Sequence, residues 1–355
     1  MRQIEVSTPG KLVLFGEYAV LFGAPAVVAA MDRRAVVSLD PSSGDGWEMS
    51  APGLARQPSR FEIAPGGAIR WLDAAQGSGE FHLVEKLISG IASSRLVDLR
   101  GLGSAAMILD TKSFFEGDEP QRSKLGLGSS AALTVALATA LRLWSSDEPL
   151  IGEADQLQAL VDLHRRVQGG AGSGIDVAAS LLGGVIRYRL AVDGSVADAS
   201  PVDLPGDLRM VFVWTGRSAS TGDFLNRLRV RREEAPSVLN PVLEYLGSVS
   251  SAGASAFVTG DPEAFLDSVD DFWEALEKLG VAIDMPILSH EHRVLREAAI
   301  DCGVRYKPSG AGGGDFGIGF TSDRSKAVDF VHRVADEGFR TPDIGVDPLG
   351  VTSSR

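Results

Sequence analysis

The sequence predicts an α+β protein of two domains, and three observations carry that expectation. The 355 residues exceed one core of ordinary size, at about 150 residues per domain, and 44% are apolar, enough to bury sizeable cores. Short apolar runs of strand type and longer runs of helical period are interspersed along the chain with no internal repeat. The stretch Pro201 to Pro205 follows a hairpin signal at Asp193-Gly194 and precedes a new strand, so the expected division is 1–205 and 206–355.

In chain order, Lys11 to Phe15 and Ala35 to Leu39 read as strands, being short apolar runs that suit a half-buried pleat. Between them, Ala19 to Met31 is broken by Gly23 and Pro25 and falls short of the ~20 residues a membrane span needs, so it reads as buried strand and turn. Ser42 to Gly46 and Ala74 to Gly79 are small and polar and read as exposed loops. Apolar residues recurring every three or four positions predict helices over Phe81 to Ser93, Ala131 to Trp144 and Ala154 to Gln168, with strands at Ala105 to Leu109 and Gly184 to Leu190. Beyond the boundary the same criteria give strands at Met210 to Trp214 and Phe316 to Phe320, and helices at Gly222 to Glu234, Pro262 to Leu279 and Ser325 to Asp336.

Acidic residues outnumber basic ones by 47 to 34, a net charge of −13. That balance argues against nucleic acid or an anionic membrane as a partner, and an anionic substrate would need a local basic pocket. Cys302 is the lone cysteine and five histidines are scattered, which gives no intrachain disulfide and no zinc-site spacing. Met1 to Thr8 lack the cationic and long apolar regions of a secretory signal, so a cytoplasmic location is expected.

The densest chemical signal is Lys124-Leu125-Gly126-Leu127-Gly128-Ser129-Ser130-Ala131-Ala132, with a helical run directly after it. Glycines let a backbone wrap an anion, paired hydroxyls can take a metal or a phosphate oxygen, and the helix N-terminus offers amides. The ending is not that of a Walker A loop, and an ordinary turn and cap would use the same residues. A second glycine-rich stretch, Gly169 to Ser180, holds Asp176, in isolation a turn residue or cap. In Trp214 to Thr221 the hydroxyls of Ser218, Ser220 and Thr221 stand with Arg217 at a helix start, fit either to bind a phosphate or to cap the helix.

Three segments in order, Pro9-Gly10-Lys11-Leu12-Val13-Leu14-Phe15-Gly16-Glu17-Tyr18-Ala19-Val20-Leu21, the Lys124 to Ala132 loop, and Lys307-Pro308-Ser309-Gly310-Ala311-Gly312-Gly313-Gly314-Asp315-Phe316-Gly317, resemble the signature motifs of the GHMP kinases. The resemblance runs from about Ser7 to Phe320. It implies an N-terminal domain like the second domain of ribosomal protein S5, a ferredoxin-like C-terminal domain and an active site between them. ATP and Mg²⁺ are the implied cofactors, with Lys124, Gly126, Leu127, Gly128, Ser129, Ser130 and Ala131 at the nucleotide, Ser129 or Ser130 at the metal, Asp176 as the catalytic base and Lys11 as its partner.

With Asp176 in that place, His164 reads as a structural hydrogen-bonding residue. Mevalonate kinases carry a metal-binding glutamate eleven residues before the catalytic aspartate; this chain has Arg165 there. Trp214 to Thr221 and the three motifs are similar to those of phosphomevalonate kinases, which implies a substrate with its own phosphate. Arg217, Ser218, Ser220, Thr221, Lys307, Ser309, Gly312 and Gly313 are the implied contacts, along with Ser173 and Gly174; Glu17 and Tyr18 either touch the substrate or brace the first motif. The expected activity is ATP-dependent phosphorylation of 5-phosphomevalonate by a monomer or homodimer. The alternatives are mevalonate kinase, another GHMP small-molecule kinase, or a non-catalytic nucleotide-binding regulator.

Overall fold

A long first strand, β1 (Ile4–Phe15), runs antiparallel to β2 (Ala26–Pro41), and their register shifts between Pro9 and Gly10. A proline has no N–H to give a ladder, so a bulge there is the expected accommodation. The computed structural model describes residues 3–355 apart from 43, 45, 53–56, 65–66, 74–80, 95, 100–101, 118–121, 147–153, 171 and 218–220. The expected loop Ala74 to Gly79 therefore lies outside the described residues, as do 43 and 45 of the other one.

After β2 come β3 (Trp47–Ser50), β4 (Ser59–Ile63), β5 (Ile69–Trp71), α1 (His82–Ser94), β6 (Ala105–Asp110), a short hairpin of β7 (Phe115–Glu116) and β8 (Ser123–Lys124), α2 (Ser129–Ser146), α3 (Ala154–Val167), α4 (Ile175–Leu182), β9 (Val185–Leu190) and β10 (Val196–Pro201). The main sheet has the order β10-β9-β2-β6-β3-β4-β5, with β1 also on β2. Only β3 and β6 pair in parallel among its described strands. The helices α2 and α4 pack on β1 and β2. The second half consists of β11 (Arg209–Trp214), α5 (Thr221–Glu234), α6 (Pro236–Thr259), α7 (Pro262–Ala282), α8 (His290–Asp301), β12 (Arg305–Pro308), β13 (Phe316–Thr321), α9 (Arg324–Asp336) and β14 (Thr352–Ser354). Here β11, β13 and β12 form a three-stranded antiparallel sheet against which α7, α8 and α9 pack.

Packing joins the two halves. Phe15, at the end of β1, enters the helices of the second half, its ring centroid 4.5 Å from that of Phe272 and 5.4 Å from that of Phe265. A Cβ on Gly253 would sit 2.3 Å from the Phe15 ring, so α6 needs a glycine at that crossing. The segment after α9 returns to the first half. Asp347 exchanges backbone hydrogen bonds with Ala30 and Gly184, and Val351 donates to Leu181 at the end of α4. β14 then pairs with the outer edge of β1. Arg34 ties this return down, donating to Asp347, to the carbonyls of Ser7 and Gly350, and to Leu349. We propose 1–205 and 206–355 as the domain division, with β14 crossing it.

The expected strands and helices are present, β1 and β2 longer than predicted and the others within a few residues. The sequence reading passes over α4, α6 and α8. The helix α6 carries Pro241 in its interior and a Gly-, Ser- and Ala-rich second half, which mask its period. Its buried residues Leu239, Leu246, Val249, Gly253 and Phe257 nevertheless share one face, and packing against α7 overrides propensity.

Candidate active site

The central glycine-rich loop leaves β8 and turns into α2. Leu125 and Leu127 are buried and anchor it, while Gly126 and Gly128 between them take left-handed φ values of 81° and 77°. Lys11 crosses this loop: its N–H donates to the Leu127 carbonyl at 2.8 Å, and a Cβ on Gly128 would lie 3.0 Å from Lys11 Cγ. Glycine at 128 therefore lets the first motif lie directly on the second. A Cβ on Gly126 would meet Asp315 of the third motif at 2.3 Å. Ser129, Ser130 and Ala131 form the first turn of α2, directed at the end of the loop.

A second wall comes from the end of α3 and the start of α4. Arg165 donates to the carbonyls of Gly172 (2.9 Å), Ser173 (3.0 Å) and Gly194 (2.8 Å), and Tyr188 Oη donates to the Ser173 carbonyl at 2.8 Å. These bonds fix the loop that delivers Asp176. Gly174 caps α4 with φ 82°, where a Cβ would lie 2.5 Å from Val161. His164 stands behind this loop, its Nδ1 3.8 Å from Asp176 Oδ2 and its Nε2 3.3 Å from Ser130 Oγ. Gln168 also donates to Ser130 Oγ, at 2.7 Å. One imidazole thus stands between the aspartate and the first turn of the phosphate-loop helix, a placement that sequence spacing does not reveal because the neighbours are 12 and 34 residues away.

The third wall is the first motif beyond β1. A cavity of about 180 Å³ is bordered by Lys11, Glu17, Tyr18, Arg165, Ser173 and Asp176 among others. Lys11 and Asp176 face the same space, but no ion pair joins them among the described residues; the direct partnership expected from the sequence is replaced by the nearer His164. Tyr18 donates its hydroxyl to the Ala311 carbonyl at 2.6 Å. Burial pushes that hydroxyl's pKa up, and the neighbouring Glu17 charge adds to the shift.

Two expected substrate contacts lie elsewhere. Lys307 has no exposed surface, and its ammonium is held by Glu17 at 2.5 Å, so it does not reach a substrate phosphate directly. Arg217 is exposed and pairs with Glu291 at 3.0 Å, outside the cavity. Ser309 is buried and donates to the Val13 carbonyl at 2.8 Å, and Gly312 packs against Ile287, with 2.6 Å from a would-be Cβ to its side chain; both brace the loop. Gly313 is half-buried in the same loop. Ser218 and Ser220 lie outside the described residues, and Thr221 is the first residue of α5.

Sequence reading missed His292, which is fully buried in α8. Its Nε2 is 3.1 Å from the Gly314 carbonyl and its Nδ1 2.9 Å from Tyr306 Oη. A carbonyl only accepts, so Nε2 carries the proton and the tyrosine donates to Nδ1. Burial lowers this histidine's pKa to about 4. The unfolded chain, with an ordinary histidine near 6.5, takes up a proton that the folded one refuses as pH falls from about 6.5 to about 4. The stability linked to His292 is complete above that window and is lost across it, amounting to ~3 kcal/mol at most. Urea midpoints measured between pH 7 and pH 4.5 should fall, and the slope should flatten in His292→Gln.

No group of three or more His, Cys, Asp or Glu side chains is arranged for a metal among the described residues. What the first turn of α2 offers is hydroxyl oxygen. Ser130 shares its hydroxyl with Gln168 and His164, whereas that of Ser129 has no protein partner among the described residues. Such donors suit Mg²⁺ beside phosphate oxygens.

Residues 111–184 match the GHMP kinases N terminal domain, and residues 253–340 the GHMP kinases C terminal. Phosphomevalonate kinase of Streptomyces sp. (strain CL190) is 28% identical, with 93% of each chain covered. Mevalonate kinase of Thermococcus gammatolerans is 31% identical over 70% of this chain and 68% of its own. In structure, Streptococcus pneumoniae phosphomevalonate kinase in complex with phosphomevalonate and AMPPNP superposes with a TM-score of 0.75 at 21% identity, covering 96% of this chain and 99% of its own. Fold, motifs and relatives agree: the chain belongs to the GHMP kinases. No described helix is long and apolar enough to cross a membrane.

Proposed function

We propose that the chain is a cytoplasmic, ATP-dependent phosphomevalonate kinase, which transfers the γ-phosphoryl group of ATP to 5-phosphomevalonate to give 5-diphosphomevalonate in the mevalonate route to isoprenoids. The observation that carries the choice of acceptor is Arg165. It places a guanidinium on the cavity wall where mevalonate kinases carry a glutamate. With Glu17 offset by Lys307, the cavity wall carries Lys11 and Arg165 against the carboxylate of Asp176; Arg165 is held by three carbonyls and lies 3.7 Å from Asp162, so it favours an anionic acceptor through its field and not by direct contact.

In this reading the Gly126 to Ala131 loop, with Lys124 at its entry, receives the nucleotide phosphates on backbone amides and the N-terminus of α2. Mg²⁺, held by the hydroxyl of Ser129 with Ser130 beside it, supplies charge neutralisation at the phosphoryl oxygens. Lys11, lying over Gly128, faces both loop and cavity and offsets charge on the group in transit. Asp176 takes the proton of an incoming acceptor that still carries one; the Val177 N–H holds its carboxylate, and His164 stands 3.8 Å from it. The remaining work is alignment, as is general in phosphoryl transfer.

The second reading, mevalonate kinase, is favoured by the higher identity to the Thermococcus gammatolerans enzyme. Side-by-side assays decide between them. Cations placed for a phosphate lose their partner when the acceptor ends in a neutral hydroxyl, so kcat/KM for 5-phosphomevalonate should exceed that for mevalonate by ~10³-fold or more. Arg217→Ala should leave both values nearly unchanged, because its guanidinium lies on Glu291. Efficient turnover of mevalonate alone would establish the second reading; ATP binding without turnover of either would favour a regulator.

A further inference from the structure

The ion pair of Glu17 and Lys307 is the most deeply buried in the molecule among the described residues, with 3% and 0% of the two side chains exposed. Burial pushes the Glu17 carboxyl up and the Lys307 ammonium down in pKa, and the charge of each partner opposes the other's shift. Such a pair seldom adds stability over well-packed apolar residues. Here it is not even saturated: Oε1 of Glu17 accepts from Lys307 and from the Gly310 N–H, while Oε2 is buried without a partner among the described residues. Its placement offers a better account than stability does.

The two residues lie 290 positions apart, one in the first motif and one in the third, and further bonds join the same two segments. Tyr18 donates to Ala311, and Ser309 donates to Val13. Tyr18 has φ 60° and ψ −46°, a conformation disfavoured for a residue with a side chain and held by its surroundings. Glu17, Tyr18, Gly310 and Ala311 all border the cavity. The phosphate loop has anchors of its own, the Leu127 carbonyl on Lys11 N–H and the start of α2, and meets the third motif at Asp315, beyond the Glu17–Lys307 pair.

We propose that Lys307 is a positioning residue for the acceptor: through Glu17 it clamps the first motif to the third and so sets the acceptor wall of the cavity, without touching substrate or nucleotide. This rests on the reading that the cavity receives the acceptor. An acceptor wall displaced by about 1 Å lowers transfer by ~10²-fold while nucleotide binding is spared.

The test uses the full chain as wild type, Lys307→Met and the charge-balanced Glu17→Gln/Lys307→Met. The double variant removes the stranded charge and should recover most of the melting temperature lost by the single one. Its KM for 5-phosphomevalonate should stay raised by at least about tenfold, with the Kd for AMPPNP within twofold of wild type. Recovery of wild-type KM together with the melting temperature would overturn the proposal, since the pair would then serve stability alone; so would an equal loss of AMPPNP binding. Amide exchange, which needs no acceptor, is measured in parallel: residues 309–312 should exchange faster in the double variant and residues 125–130 should not. Unchanged protection at 309–312 would also overturn it. Failure of the wild type to phosphorylate either mevalonate or 5-phosphomevalonate would instead count against the assigned function, and the exchange data would still decide whether the clamp exists.

Discussion

Asp176→Asn should lower kcat on 5-phosphomevalonate by ~10²-fold or more where the acceptor still carries its second proton, well below about pH 6, with AMPPNP affinity within about twofold of wild type. The amide keeps the shape of the side chain, and Val177 N–H can still donate to its oxygen, as it does to Asp176 Oδ1 at 3.0 Å. What is lost is the proton acceptor and the charge facing His164. The pH dependence of that loss carries more information than its size. A phosphate monoester gives up its second proton near pH 6, so above pH 7 the acceptor already attacks as the dianion and needs little help. The penalty should therefore shrink as pH rises. A penalty that stays constant to pH 9 is the signature of a hydroxyl acceptor, whose proton must always be removed, and would move the assignment to mevalonate. Near-normal turnover at every pH would remove Asp176 from the chemistry.

Lys11→Met should reduce turnover by ~10²- to 10³-fold, the scale for losing one preorganised charge at a transition state, and should affect nucleotide affinity far less. The side chain reaches the cavity over Gly128, so its ammonium meets charge in transit more than the resting nucleotide. Stopped-flow nucleotide binding beside single-turnover transfer separates the two effects. A variant that transfers normally once nucleotide is saturating would make Lys11 a binding residue. Gly128→Ala supplies a second view, since its added Cβ at 3.0 Å from Lys11 Cγ forces that side chain aside on a backbone of φ 77°.

Much of this architecture is legible in the sequence, for identifiable reasons. The phosphate loop announces itself because left-handed glycines, small hydroxyls and a helix must be contiguous to work. Strands β1, β2, β6 and β9 and helices α1, α2, α3 and α7 show their periods because each buries one face or both, whereas β3, β4, β5, β10 and β14 are too short or too exposed to announce themselves. What stays hidden is whatever depends on pairing across the fold. Lys307 sits just before a run of glycines and reads as a phosphate ligand; only the fold shows that its charge meets Glu17. Arg217, beside a row of hydroxyls, reads as an anion ligand until Glu291 is seen opposite it. His164 and His292 follow the same logic, each defined by partners on other elements.

The return of residues 345–354 to the first sheet bears on how the protein is made. Strand β1 leaves a ribosome long before its outer neighbour β14. A Cβ on Gly183 would lie 2.1 Å from the Gly350 nitrogen, so the end of α4 also has no finished surface until that segment arrives. During synthesis the first half must wait with an open strand edge, a state that favours pairing with other chains and recruits chaperones. The helix that carries Asp176 is closed off at the same late step. Catalytic competence is thereby coupled to the arrival of residues 345–354, and a product interrupted before them would be a sheet with a bare edge and an unbuttressed aspartate.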